Sequence, residues 1–375
     1  MNVLITGANG FLGLNLQQRL RERLDVNVTC FSRGQQSEHL TRLLDGVDMV
    51  FHLAGVNRPQ ELKEFTVGNT DFTRELCRVV AATARSTGKP ISILYASSTQ
   101  ADLDNAYGRS KREAEVILAK TGQDPLVPVH LFRLANVFGK WCRPNYNSVV
   151  ATFCHNVAHN LPIQVNDPQA ALTLVYIDDV IERFIQIMDG AELSAGVDGF
   201  GIVRPLYATT VGELARLILT FRDSRSSLLT ERVGAGLVRA LYSTYVSYMP
   251  VESFAYDLPQ HADQRGVFVE MLKTPDCGQF SFFTTHPGVT RGGHYHHSKI
   301  EKFLVIKGQA RFRFRHILTG QVHELKTSGD RPQIVEMVPG WTHDITNIGI
   351  EEMVVMLWAN ENFDRDLPDT YACPL

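Results

Sequence analysis

Apolar residues in the first third of the chain follow two rhythms. Short unbroken runs at 3–6, 26–31, 49–53, 91–96 and 129–134 have the length and composition of buried strands. Between them, at 14–24, 40–44, 69–87 and 107–121, apolar positions recur every three or four residues, which predicts helices. Strand and helix in alternation predict a parallel sheet covered on both faces. Past about residue 242 the rhythm changes. Tyr242-Ser243-Thr244-Tyr245-Val246-Ser247-Tyr248-Met249-Pro250 reads as a connector. Short β-type runs follow at 266–271, 279–284, 303–306, 310–317, 334–337 and 353–358, with glycine and proline between them. That spacing predicts a sandwich or barrel. The expected fold class is therefore α/β plus all-β, in two domains, 1–248 and 252–372.

Composition narrows the partners rather than the fold. A formal charge of −3 over 375 residues gives no reason to expect a nucleic acid or an anionic membrane. No apolar run reaches the length of a membrane span, and no charged-then-apolar leader precedes the first strand. The six cysteines are scattered without a CxxC pair. These features predict reduced thiols in a cytoplasmic protein.

The first strand runs into Thr6-Gly7-Ala8-Asn9-Gly10-Phe11-Leu12-Gly13, and a helical stretch follows. Glycines between a strand and a helix let a pyrophosphate approach the free N–H groups of the helix end. The predicted fold is thus a Rossmann-type doubly wound sheet. At the end of the second strand stand Ser32 and Arg33, where an acidic residue would mark NAD. Arg33 can bind a 2′-phosphate, so NADPH is the expected cofactor, unless Arg33 is only a solvated charge. Tyr107 and Lys111 are one helical turn apart and share a face. An ammonium near the phenol, together with a cationic nicotinamide, favours the phenolate and should lower a pKa that is ordinarily about 10. Tyr107 could then give a proton to a carbonyl oxygen as hydride reaches the carbon. Ser97-Ser98-Thr99, after a buried strand, offers a hydroxyl to the same oxygen.

These residues resemble the extended short-chain dehydrogenase/reductase family. His52-Leu53-Ala54-Gly55, Asn69, the stretch from Phe132 to Gly139, and Tyr176-Ile177-Asp178-Asp179-Val180 extend the resemblance over roughly 1–245. It implies action on a nucleotide sugar, with Ser98 as the hydroxyl, Tyr107 as the acid and Lys111 as its activator. It also implies cofactor contacts at Gly7, Gly10, Phe11, Leu12, Gly13, Ser32, Arg33, Leu53, Ala54 and Gly55. Only eight residues separate Ser98 from Tyr107, shorter than the usual family loop, which leaves Ser97 or Thr99 open in its place. Substrate is expected beyond the strand ends. There Lys140 and Arg143 could meet a diphosphate, and Asn136, Asn145 and Asn147 could line the sugar, unless the segment is an ordinary surface loop.

Near the C-terminus, His294 and His296 alternate on one expected strand, Glu301 opens the next, and His343 comes from a third. Three imidazoles and a carboxylate suit zinc, iron, manganese or nickel. The spacing resembles the cupin family: Gly288-x5-His294-x-His296-x4-Glu301-x6-Gly308, then Gly340-x2-His343-x3-Asn347. It implies a jelly-roll barrel at about 252–370 that holds one divalent metal, with zinc the first expectation. Residues 261–270 resemble the start of cupin-type ketosugar epimerases, in which a base removes a proton beside a ketone and an acid returns it on the other face. Arg265, Lys302, Arg311 and Arg313 are candidate phosphate or enolate contacts. Arg311 and Arg313 could equally form an exposed strand face. The metal's part, catalytic or structural, stays open.

Through residues 141–153, Gln164-Val165-Asn166-Asp167, residues 242–248, the Asn and His residues of the cupin, and Phe363 with Pro368-Asp369-Thr370-Tyr371, the whole chain resembles a family of capsular polysaccharide biosynthesis enzymes that fuse such a reductase to a cupin. This implies a UDP-linked 4-keto-6-deoxy-N-acetylhexosamine substrate on the way to UDP-N-acetyl-L-fucosamine, for capsule or O-antigen, and a homodimer. The cupin would invert C3 and the reductase would then reduce C4. A reductase with a structural cupin, or an NADPH-sensing binding protein, are the other readings.

Overall fold

The computed structural model describes residues 1–32, 37–193, 196, 199–263, 266–269, 272, 274, 279–361 and 366–375. Contacts divide the chain into two compact units. One is Met1–Ser148 with Leu172–Ala208; the other is Val149–Ala171 with Thr209–Leu375.

The first unit holds a parallel sheet of strands β1 (Asn2–Thr6), β2 (Asn27–Phe31), β3 (Met49–His52), β4 (Ser92–Ser98) and β5 (Val129–Leu134), in the order β2–β1–β3–β4–β5. Its helices are α1 (Phe11–Arg21), α2 (Ser37–Leu43), a single turn α3 (Lys63–Phe65) that passes through a π-helical stretch at Thr66–Asp71 into α4 (Phe72–Thr87), and α5 (Ala106–Thr121). The helix α4 forms because Leu76, Val79, Val80 and Ala84 fall on one buried stripe, and it stops at Gly88 in the left-handed region. Asn105 caps α5 by accepting the Gly108 N–H at 2.8 Å. Leu4, Val50, Ile93 and Tyr95 from one sheet face pack with Leu76, Val80, Ala114 and Leu118. On the other face Phe51 and Phe132 meet Phe184, their ring centroids 6.5 and 5.2 Å from its own. Both faces are covered, as the alternating rhythm predicts.

Next come β6 (Asn136–Phe138), α6 (Val149–Ala158), β7 (Ala171–Tyr176), α7 (Ile177–Met188), β8 (Tyr207–Thr210), α8 (Val211–Ser227) and α9 (Gly236–Val246). The strand-to-helix junction expected at 176–180 is the passage from β7 to α7. The connector expected at 242–250 is corrected: its first half is the end of α9, with Tyr242 and Tyr245 buried against Phe221. Hydroxyl, β-branched and aromatic residues carry little helical propensity. Here Thr244 returns its hydroxyl to the Ala240 carbonyl and Ser247 to that of Thr244, and packing of the tyrosines decides the conformation.

The remaining strands are β9 (Ala255–Asp257), β10 (Gln260–Asp263), β11 (Gly266–Val269), β12 (Gln279–Thr285), β13 (Thr290–Tyr295), β14 (Glu301–Lys307), β15 (Gln309–His316), β16 (Val322–Ser328), β17 (Gln333–Met337), β18 (Trp341–Asn347), β19 (Met353–Ala359) and β20 (Tyr371–Ala372). They form a β10–β11 hairpin and two five-stranded sheets, β12–β19–β14–β17–β9 and β16–β15–β18–β13–β20. The sheets meet through Phe303 of β14, whose ring lies 6.0 Å from Phe312 of β15 and 6.5 Å from His343 of β18. This is the sandwich that the short runs predict. The edge strand β16 has no counterpart among the predicted runs, because its sequence Val322-His323-Glu324-Leu325-Lys326-Thr327-Ser328 is mostly polar.

Candidate functional sites

At the C-terminal end of β1 the chain makes a tight turn at Gly7, whose φ is +69°. A Cβ there would stand 2.6 Å from the Ala54 nitrogen. One on Gly13 would run into the carbonyls of Gly7 and Ala8. The glycines thus set the turn and the close seating of α1. Phe11 and Leu12 open that helix, and its N-cap, Gly10, brings no side chain to its free N–H groups. Beside this end lies a cavity of about 780 Å³, lined by Gly7, Gly10, Ser32, Leu53, Ala54 and Gly55, all expected cofactor contacts. A cradle without side chains, an open helix end and a cavity fit a dinucleotide. Arg33 lies outside the described residues.

Lys111 is buried on α5 and donates to the Ala96 carbonyl at 2.8 Å, with its nitrogen 4.3 Å from the centre of the Tyr95 ring. Burial pushes its pKa down to about 7, against the pull of Glu115. The Tyr107 phenol is raised by burial, while a hydrogen bond with Ser98 lowers it. In the protein alone, desolvation of the phenolate outweighs the hydrogen bond with Ser98. Of the three hydroxyls left open, Ser98 is the one beside Tyr107. Ser97 is buried and donates to Glu115 at 2.5 Å, and Thr99 opens a 3₁₀ turn.

Glu115 was not singled out by the sequence. It lies one turn beyond Lys111, so Tyr107, Lys111 and Glu115 form one stripe of α5. Arg133 of β5 grips it through two hydrogen bonds of 3.0 and 2.7 Å. This buried pair ties the helix that carries Tyr107 to the strands beneath Ser98.

The expected substrate residues divide. Asn136, Arg143, Asn145 and Asn147 are exposed. Lys140 is not offered to a ligand: it is buried and paired with Asp178 at 2.9 Å. In the second unit, Lys302 is likewise enclosed, 2.5 Å from Glu336, which also binds Arg225 at 3.0 Å. Both corrections have one cause. A lysine read as a free cation from sequence can be drawn inward by a carboxylate far along the chain. Arg313 is held by Asp344, and Arg265 lies outside the described residues.

The four expected metal ligands do come together. The ligand atoms of His294, His296, Glu301 and His343 all lie within 4.8 Å of one another. His296 sits one residue past the end of β13 rather than on it, yet its ring centre is 5.1 Å from that of His294. Burial, with the neighbouring His296, drives the pKa of His294 down to about 4. His343 is pushed down by burial, then by His296 and His294. Burial would raise the Glu301 carboxyl, but His296, His343 and Lys299 hold it well below the usual range. A neutral His294 and His343 beside an ionised Glu301 are protonation states a divalent cation needs. Both ring nitrogens of buried His343 lack a hydrogen-bond partner among the described residues, so the donor set fits a metal.

Asp369 completes this site; the sequence marks it only within the whole-chain resemblance and not by ligand spacing. Its carbonyl takes the His296 Nδ1 proton at 2.6 Å, which leaves Nε2 facing the other ligands. Its carboxylate accepts the backbone N–H groups of His297, Ser298 and Lys299 at 2.9, 2.8 and 2.7 Å.

Residues 3–196 match the model of the NAD dependent epimerase/dehydratase family, and 261–371 match the polysaccharide biosynthesis C-terminal domain. The chain belongs to the NAD dependent epimerase/dehydratase family. It is 60% identical over 373 residues to a Pseudomonas aeruginosa protein named UDP-2-acetamido-2,6-beta-L-arabino-hexul-4-ose reductase, covering 100% of this chain and 98% of that one. It is similar to the crystal structure of the capsular polysaccharide assembling protein CapF from Staphylococcus aureus, with 41% identity, a TM-score of 0.68 and all of both chains covered. A UDP-glucose 4-epimerase from Thermotoga maritima shares the fold over 60% of this chain and 83% of its own, with 20% identity and a TM-score of 0.50. No helix among the described residues is long and apolar enough to cross a membrane.

Proposed function

We propose that the chain performs two steps on one UDP-2-acetamido-2,6-dideoxy-hexos-4-ulose, inversion at C3 in the C-terminal barrel and then reduction at C4 in the N-terminal unit. End-to-end similarity to a 4-ketosugar reductase carries this reading. The product is a UDP-2-acetamido-2,6-dideoxy-L-talose, bound for UDP-N-acetyl-L-fucosamine and a surface polysaccharide. The order follows from acidity. The C3 proton can be abstracted only while C4 is a ketone, so reduction comes second.

A bound reduced nicotinamide, NADPH by the reading of Arg33, supplies the hydride. The protein's own part is to hold the ketone and protonate it. Ser98 orients the oxygen by a hydrogen bond, and Tyr107 gives that oxygen its phenolic proton as C4 gains the hydride. Lys111, one turn further along α5, supports the phenolate left behind. In the barrel, His294, His296, Glu301 and His343 would hold one divalent cation, zinc first. A cation there supplies Lewis-acid stabilisation of negative charge on oxygen when C3 loses its proton. A cytoplasmic homodimer is the form we assign to the enzyme.

Two variants test the halves separately. Tyr107→Phe should lose ketone reduction and keep C3 exchange, and His343→Ala should lose exchange and keep NADPH binding. Unchanged reduction by Tyr107→Phe would refute the acid role.

A further inference from the structure

Within the first unit, seven of the fourteen described arginines have a carboxylate for company. Arg19, Arg23, Arg85, Arg109 and Arg133 each sit within ion-pair distance of one. Arg58 and Arg143 do not. Among the described residues neither guanidinium makes an ion pair or a hydrogen bond, and both are exposed. Yet they converge. The Arg58 guanidinium carbon lies 6.0 Å from the centre of the Tyr146 ring, and that of Arg143 lies 5.2 Å from the same centre. Arg58 follows the end of β3, just past Leu53, Ala54 and Gly55 in the cavity wall. Arg143 and Tyr146 belong to the loop after β6, which Trp141 and Asn145 shape with φ of 68° and 54°.

Two like charges gathered on one aromatic side chain repel each other unless an anion comes between them or water screens them. The tyrosine takes each guanidinium against its π-system. Such a contact uses the face of the guanidinium and leaves its in-plane N–H groups free to fork onto phosphate oxygens.

We infer that Arg58 and Arg143, held by Tyr146, form the subsite for the diphosphate of the nucleotide sugar. The inference rests on the nucleotide-sugar reading and adds to it Arg58, a residue from a different strand end than the sugar-lining loop. A dinucleotide also carries a diphosphate, but the glycine turn and the open end of α1 already serve that group. The ligand here is therefore the UDP moiety.

Calorimetric titration of the full-length protein with UDP, and separately with NADPH, tests the assignment. In Arg58→Ala and Arg143→Ala, UDP affinity should fall by about tenfold or more, the effect of one lost charge-assisted hydrogen bond. Arg58→Lys should fall between, since it keeps the charge and loses the fork. NADPH affinity should stay within about twofold of wild type, which also reports that the variants fold. UDP binding equal in wild type and both alanine variants would overturn the subsite alone. Weakened NADPH with unchanged UDP would reassign the arginines to the cofactor and overturn it as well. A wild type that does not bind UDP would overturn the nucleotide-sugar reading and the subsite with it.

Discussion

His52 is buried at the end of β3, with Nδ1 2.8 Å from the Thr6 hydroxyl and Nε2 2.8 Å from that of Thr73. Burial, then the charge of Lys111, lowers its pKa to about 3. The unfolded chain takes up that proton near pH 6.5, so the stabilisation is complete above pH 6.5 and is lost as pH falls towards 3. Across that window His52 should contribute a slope of about 1.4 kcal/mol per pH unit to the unfolding free energy. Urea titrations between pH 6.5 and 4 should show a steeper loss for wild type than for His52→Gln. Parallel slopes would show that His52 is protonated in the fold. At the same scale, Tyr107→Phe removes only the hydroxyl proposed to meet the ketone. Its reductive kcat should drop by about 10² to 10⁴, with NADPH binding retained.

At the scale of elements, two ties hold the sites in shape. Through Glu115, α5 is fixed to Ser97 and Arg133. Cutting that tie by Glu115→Ala leaves Arg133 poorly compensated and should lower the unfolding free energy by about 3 kcal/mol, read from denaturant curves. A loss below about 1 kcal/mol would mean that Asp102, also within 2.6 Å of Arg133, suffices. The other tie is the C-terminal segment around Asp369. Beyond its contacts with 297–299, Tyr371 stacks on Tyr295 at 5.6 Å and the Cys373 N–H reaches the Gly293 carbonyl at 2.7 Å. Asp369→Ala should weaken zinc binding by about tenfold or more in competition with a chromophoric chelator. Equal affinity would leave the Asp369 carboxylate with no part in ordering the ligands, since the alanine keeps the carbonyl that meets His296. Neither tie is legible from spacing, for the same reason. Gly7 to Gly13, Tyr107 with Lys111, and His294 with His296 are legible because each set acts across a few residues of one turn, helix or strand. Glu115 with Arg133, and Asp369 with His296, act across chain separations that no spacing rule covers. Lys140 and Lys302 fail in the opposite sense. Their charge is plain in the sequence, but the Asp178 and Glu336 that bury it are not. Tyr242–Val246 was misread because packing, rather than propensity, makes it helical.

For the whole molecule, the rhythm of strand and helix announces the two folds, while contacts draw the division differently from the expected boundary near residue 248. The helices α8 and α9 group with the barrel, and Arg225 of α8 reaches Glu336 of β17. Expressing 1–248 alone should therefore give a poorly folded product, whereas a boundary near residue 210 removes those helices together with the barrel. We propose that one ketone serves both units in a fixed order. NMR of the metal-loaded protein with the UDP-4-keto-6-deoxy-N-acetylhexosamine in D₂O tests it, first without NADPH and then with it. Deuterium should enter at C3 before any cofactor is added, and a C4-reduced, C3-inverted product should follow afterwards. Reduction without prior exchange at C3 would contradict it and leave a reductase joined to a barrel that takes no part in the chemistry.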